Sequence, residues 1–211
     1  MRVFYLHGFA SSARSSKASF FAARLAELGV ALETPDLNEP DFSTLTVSRM
    51  VAQVSAALDA GEEPVALVGS SLGAFVAVQV ALAQPTRVQK LVLLAPALDF
   101  GGNRMRSLGG RGLDDWKATD RLDVFHHGYG RVVPVHYELY ADARRYNPSN
   151  ATLALPVLVF QGRHDTAVDP ESVERWGRAR PNVELHMLDD DHQLLKSLDA
   201  IWERTRTFLG V

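Results

Sequence analysis

The chain contains no cysteine, which excludes disulfides, thiolate nucleophiles and cysteine-based zinc sites. It also lacks an excess of positive charge. Its 22 Lys and Arg face 25 Asp and Glu, a formal net charge of −3, so no global basic field would gather nucleic acid or anionic lipid. Long hydrophobic runs are missing too: the longest apolar stretch, residues 91–98, falls far short of the roughly 20 residues needed to span a bilayer. The opening MRVFYLHGF has an apolar core too short for a signal peptide, broken by His7 and Gly8. There is no G-x-x-x-x-G-K-[ST], no H-E-x-x-H, and no G-x-G-x-x-G behind the first strand, so neither a nucleotide phosphate cradle nor a zincin helix is expected. His126, His127 and His136 lack a second cluster to complete a metal site and read as surface or cap histidines. Together these absences predict a cytoplasmic protein with no cofactor, no metal, no nucleic-acid partner and no membrane span.

What is present is an ordinary globular balance, 46% hydrophobic and 22% charged over 211 residues, which predicts one domain, 1–211. Short apolar runs at residues 3–6, 30–33, 65–68, 91–95, 157–160 and 183–188 read as six strands, several continuously apolar as strands covered on both faces should be. Between them lie helical patterns. Residues 17–28 stop before Gly29; residues 46–60 have Ser43 and Thr44 available as caps; residues 72–83 are apolar nearly all round; residues 194–209 repeat an apolar stripe. Strands alternating with helices predict the α/β class, with a parallel sheet and right-handed crossovers.

The rhythm breaks over residues 99–152, which hold seven of the 15 glycines, Trp116, Tyr137, Tyr140 and Tyr146, and weak helical patterns around residues 114–123 and 135–145. This segment is expected to form a small cap over one end of the sheet, with an ordinary long crossover as the alternative. Its arginines, Arg104, Arg106, Arg111, Arg144 and Arg145, are partly balanced by Asp114, Asp115, Asp120 and Asp123 and read as a solvated face.

The sharpest motif is Gly69-Ser70-Ser71-Leu72-Gly73, directly between an apolar strand and an apolar helix. In that setting G-x-S-x-G is a nucleophile elbow: the glycines allow strand and helix to touch, and the central Ser71 projects above the sheet edge. A serine needs a base oriented by an acid, and open α/β sheets bring ligands to the carboxyl ends of their strands. The loop after the fifth strand offers Asp165, and the loop after the sixth offers His192. Asp99, after the fourth strand, is the alternative acid. Asp169, before Pro170, reads as a helix N-cap. His186 falls inside a strand pattern and His164 reads as exposed loop, while Asp189, Asp190 and Asp191 read as a solvated turn capping the last helix. Leu72 and Phe9 are the expected backbone donors of an oxyanion hole, with Gly8 turning the chain so that the Phe9 amide faces Ser71. His7 is expected to anchor that loop. Lys17 is expected to be solvated or to pair with a loop, and Ser11, Ser12, Ser15 and Ser16 to cap the first helix.

With Ser71, Asp165 and His192 in that chain order, the sequence resembles the α/β-hydrolase superfamily along its whole length. The segment YLHGFASSARSSKA, residues 5–18, is similar to the small bacterial esterases of the YqiA/YcfP-like group. The resemblance implies a compact α/β-hydrolase fold of about six mostly parallel strands with helices on both faces and a small cap. Compared with larger members, the strand hairpin that precedes the oxyanion-loop strand is not expected here. The implied activity is cleavage of carboxylic, short- to medium-chain acyl esters with water, through an acyl-enzyme. Thioesterase, peptidase and acyltransferase activities use the same triad, and a non-catalytic binding member would be expected to carry a broken one.

Overall fold

The computed structural model describes residues 1–104, 112–147 and 152–211. Six strands form one sheet: β1 (Arg2–Leu6), β2 (Leu32–Glu33), β3 (Val65–Ser70), β4 (Val88–Leu94), β7 (Val157–Gly162) and β8 (Val183–Leu188). Their order is β2-β1-β3-β4-β7-β8, and every pairing is parallel. The α/β class and the parallel sheet are therefore as expected.

Parallel strands must be covered on both faces, and the alternation of side chains divides the core accordingly. Val3, Tyr5, Val68, Val92 and Phe160 meet α1 (Ser16–Ala26) and α7 (Leu198–Leu209) through Phe21, Leu25, Ile201 and Trp202. Phe4, Leu6, Leu67, Leu91 and Val159 meet α2 (Val47–Asp59), α3 (Leu72–Ala83) and α6 (Pro170–Arg178) through Met50, Val54, Phe75, Val78 and Val173. Helix α3 is the most enclosed, with every residue from Leu72 to Ala81 buried. Each Val, Leu or Phe it removes from water contributes about 1.5–3 kcal/mol, so the lack of a polar face is what a central helix requires.

The winding positions the site. From β1 the chain crosses to β2 on one side, then returns past β1 to β3 on the other. The loops leaving β1 and β3 consequently run to opposite faces, into α1 and α3, and a crevice opens between them at the carboxyl ends of the strands.

Several boundaries differ from the sequence reading. Helix α7 begins at Leu198 rather than residue 194: Leu194 is fully buried but has φ 56°, so it joins the apolar stripe from a loop. Strand β2 is only Leu32–Glu33. The cap of α2 is Thr46, whose hydroxyl accepts from the Arg49 amide at 3.1 Å, while Ser43 and Thr44 sit in the preceding short turn of helix. Between β4 and β7, the weak helical patterns become α4 (Leu113–Thr119) and α5 (Glu138–Ala143), and an antiparallel hairpin of β5 (Leu122–His126) and β6 (Arg131–Val135) separates them. That hairpin was not expected. Trp116 is buried and donates from its indole to the Val135 carbonyl at 3.0 Å, tying α4 to the hairpin. Arg106 and Arg111 lie outside the described residues, as does the side chain of Arg104; Arg145 pairs with Asp142 at 3.2 Å, and Arg144 lies over the Tyr140 ring. Among the described residues, no helix is long and apolar enough to cross a membrane.

Candidate active site

Strand β3 ends at Ser70 and α3 begins at Leu72, leaving Ser71 alone to turn the chain. Its backbone is at φ 54°, ψ −113°, a conformation unfavourable for a residue with a Cβ. The surroundings hold it there: the Ser71 amide donates to the Leu94 carbonyl at 2.9 Å, and its own carbonyl accepts from Ala74, Phe75 and Ala97. The flanking glycines are sterically required. A Cβ on Gly73 would lie 2.0 Å from the Leu6 carbonyl oxygen, and one on Gly69 would lie 2.6 Å from the Ala74 Cα. The turn is that tight because α3 packs directly against the ends of β1 and β3.

The loop after β7 carries Asp165, and the loop after β8 carries His192. They meet: His192 Nδ1 lies 2.8 Å from Asp165 Oδ2. The Asp165 carboxylate is wholly buried, while His192 keeps access to solvent. Burial by itself would push the Asp165 carboxyl up, but hydrogen bonds from His192, the Val168 amide and the Gln161 amide outweigh it and hold the carboxyl below its ordinary value. The Ala167 and Val168 amides donate to Oδ1 at 2.7 and 2.8 Å, and Gln161 Nε2 donates to Oδ2 at 2.9 Å. An ionised Asp165 only accepts, so His192 Nδ1 carries the proton and Nε2 is left as the acceptor. Gly162 permits the approach of the two loops, since a Cβ there would be 2.5 Å from the carbonyl oxygens of Asp190 and Asp191.

Asp99 is exposed and accepts, through its carbonyl, from the Gly102 amide. Asp169 caps α6, accepting from the Glu171 and Ser172 amides at 3.1 and 3.2 Å, and Pro170 opens the helix as expected. His164 pairs with Asp189 at 2.7 Å on the surface, and His186 sits in β8 beside Glu184 and stacked on Phe160. Asp190 departs from the solvated-turn expectation. It is buried, and its carboxylate accepts from the Asp191 and Ser197 amides, bracing the His192 loop against the start of α7.

The loop after β1 is anchored as its sequence suggests, though the turn lies elsewhere. His7 is buried, with Nδ1 2.9 Å from the Gly8 carbonyl and Nε2 accepting from the Leu37 amide at 3.0 Å. The left-handed residue is Ala10, at φ 54°, rather than Gly8. The Ser11 amide closes that turn onto the Gly8 carbonyl, and Gly8 itself packs against Ser71, where an added Cβ would be in ordinary contact at 3.4 Å. Phe9 packs its ring against Phe42 and Phe100. Among the described residues, neither the Phe9 nor the Leu72 amide has a protein acceptor.

These loops enclose a cleft of about 970 Å³ that Ser71 and His192 both line. The hairpin supplies much of the opposite wall through Val124, Phe125, His127 and Gly128, and the His127 amide donates to the Ala10 carbonyl at 2.8 Å, joining hairpin to β1 loop. The sequence reading missed this wall; the available signal was His127-Gly128-Tyr129-Gly130, a glycine-rich turn flanked by Val124 and Val132. Lys17 also lines the cleft. It is buried rather than solvated, and donates to the Gln193 carbonyl at 3.0 Å. Of the four serines proposed as caps, Ser15 caps α1. His126 is buried and stacked on Tyr129, and His136 pairs with Asp120 at 2.9 Å. No group of three or more His, Asp or Glu among the described residues is placed to hold a metal ion.

A parallel sheet wound in this order, with a serine on a G-x-S-x-G turn and an acid and histidine on two later strand ends, is the α/β-hydrolase fold. The chain belongs to the uncharacterised protein family UPF0227, whose model matches residues 2–209. It is 36% identical over 112 residues to the lipase LipV of Mycobacterium tuberculosis, a match covering 51% of this chain and 41% of that protein, so the chain spans about two-fifths of the length of the curated relative it matches. Among solved structures it is similar to Est1E from Butyrivibrio proteoclasticus with ferulic acid bound, at TM-score 0.83, 20% identity and coverage of 98% and 87% of the two chains. It is also similar to alpha/beta hydrolase domain-containing protein 10 from mouse, at TM-score 0.81, 19% identity and coverage of 99% and 89%.

Proposed function

We propose that this protein is a serine carboxylesterase acting on short- to medium-chain acyl esters, with Ser71 as nucleophile, His192 as general base and Asp165 as the residue that orients it. The observation that carries the reading is the Asp165–His192 pair at 2.8 Å, presented to the same cleft as a serine held at positive φ. In the first step His192 Nε2 takes the Ser71 proton as Oγ bonds to the acyl carbon. The negative oxygen is held by the Phe9 and Leu72 amides, and His192 returns the proton to the departing alcohol. In the second step His192 draws a proton from water, the hydroxide attacks the acyl-enzyme, and the acid leaves as Ser71 regains its proton. Asp165, kept ionised by its amide donors, stabilises the imidazolium in both steps.

The segment over residues 99–152 serves as the cap of a single domain, 1–211, with the β5–β6 hairpin forming one wall of the acyl site. The reaction uses water and no cofactor, and we place it in the cytoplasm. The partial match to a lipase supports ester chemistry over the thioesterase, peptidase and acyltransferase alternatives. The test is hydrolysis of p-nitrophenyl acetate, butyrate, octanoate and palmitate by the wild type and Ser71→Ala. Loss of turnover by about 10⁴-fold or more in the variant is expected, with the optimum at butyrate or octanoate. Equal rates in the two proteins would overturn the assignment of Ser71.

A further inference from the structure

The cleft has an unbalanced lining. Among the described residues, its charged and titratable walls are Tyr5, Arg14, Lys17, His127 and His192, with no aspartate or glutamate. Lys17 is the unusual member. It comes from the first turn of α1, it is 8% exposed, and its ammonium makes one hydrogen bond, to the Gln193 carbonyl at 3.0 Å. An ammonium has three protons to donate, and among the described residues no carboxylate lies within ion-pair distance of this one. Burying a cation is costly unless a partner offsets it. Here burial lowers the lysine to about 8, with Asp165, Asp191 and Asp190 acting through space to keep it from falling further. At neutral pH it remains largely protonated, with two donors unused, held to Gln193, the residue that follows His192.

A buried ammonium with unused donors in a cleft without acids lacks an anion. We propose that Lys17, with Arg14 at the rim, is the receptor for an anionic oxygen group carried by the substrate, so that the site selects acyl esters of carboxylate- or phosphate-bearing alcohols. This rests on the proposed esterase reading and names its substrate class. The anion would accept from the two unused Lys17 protons. It would sit beside the Gln193 carbonyl, placing the ester within the cleft that Ser71 and His192 share. The structural alternative is that Lys17 only ties the His192 loop to α1.

The experiment compares kcat/KM at pH 7 for three butyryl esters with the same aryl oxygen as leaving group: 4-butyryloxybenzoate, its neutral methyl ester, and 4-butyryloxyphenyl phosphate. The wild type is expected to prefer an anionic ester over the neutral one by about 10-fold or more, the scale of one charge-assisted hydrogen bond. Whichever anion gains more identifies the group. The ratio should fall to about one in Lys17→Met and return in part in Lys17→Arg. A wild-type ratio near one, or a ratio unchanged in Lys17→Met whatever happens to the absolute rates, overturns the proposal, the latter leaving Lys17 as a loop tether. If no ester is cleaved, the esterase reading fails separately. Calorimetric titration of the wild type with 4-hydroxybenzoate and with methyl 4-hydroxybenzoate then decides the subsite: tighter binding of the carboxylate, lost in Lys17→Met, sustains it, and equal binding removes it.

Discussion

Replacing Gly73 with alanine tests the geometry on which the site depends. The added Cβ would fall 2.0 Å from the Leu6 carbonyl oxygen, 2.5 Å from its carbon and 2.7 Å from the His7 carbonyl oxygen, well inside the 3.4 Å at which ordinary contact begins. All three obstacles are backbone, so no side chain can rotate away; β1 and α3 must separate. Overpacking costs about 1–3 kcal/mol where neighbours can yield, and here the upper end, about 3 kcal/mol, is expected. For a chain of this length each kcal/mol moves the melting temperature by about 2–4 °C, which gives a fall of about 6–12 °C. Gly8→Ala is the internal control. Its Cβ would meet Ser71 at 3.4 Å and its φ lies outside the left-handed region, so its melting temperature should move by no more than about 2 °C. Circular dichroism melts of the two variants beside the wild type settle the matter. A Gly73→Ala protein melting within 2 °C of wild type, or above Gly8→Ala, would refute the reasoning. Because the same separation would pull the β1 loop from Ser71, hydrolysis by Gly73→Ala should also drop at temperatures where it is fully folded.

Asp165→Asn should reduce kcat on p-nitrophenyl butyrate by about 10⁴-fold through loss of the Nδ1–H tautomer, whereas Asp99→Asn should stay within about twofold; the reverse order would move the acid to the end of β4. Glu184 is held down to about 2 by its hydrogen bonds with Arg204, against an opposing push from burial, with His186 also lowering it. Its folded value is depressed, so its stabilisation is present above about 4.5 and lost as pH falls towards about 2. The melting-temperature gap between wild type and Glu184→Gln should therefore close over that window, and a gap independent of pH would contradict it. Lys17 works in the same direction at higher pH. Its folded value of about 8 lies below the unfolded 10.5, so the unfolded chain binds more protons between them and stability should rise with pH through that range. Denaturant unfolding of wild type against Lys17→Met would show the rise only in the wild type.

How much of this was legible depends on the range of the forces involved. Strands β1, β3, β4 and β7 and helix α3 declare themselves because a two-sided sheet and a central helix leave little polar surface, and that composition is written along a few consecutive residues. The Ser71 turn is equally local: its strand, its two glycines and its helix are contiguous. Asp169 at the start of α6 could be separated from Asp165 by the proline that follows it. The hairpin of β5 and β6 leaves only its glycine-rich turn as a sign in the sequence, for a matching reason. Its apolar alternation is weak, with Phe125 and Val132 exposed, and its stability comes from Trp116 and the β1 loop rather than from its own pattern. Leu194 misled the boundary of α7 because hydrophobic periodicity reports burial and is silent about whether a loop or a helix delivers it.

The class of fold, the strained serine turn and the two loops able to supply an acid and a histidine are readable along the chain, since each follows from the chemistry of adjacent residues. Which carboxylate faces His192, that the turn of the β1 loop falls on Ala10, that a hairpin walls the cleft, and that Lys17 is buried within it were decided only by tertiary structure. Each depends on groups distant in the chain: 27 residues separate Asp165 from His192, and 176 separate Lys17 from Gln193. Packing and burial, which set the worth of a charge or a hydrogen bond, exist only after those distances have closed.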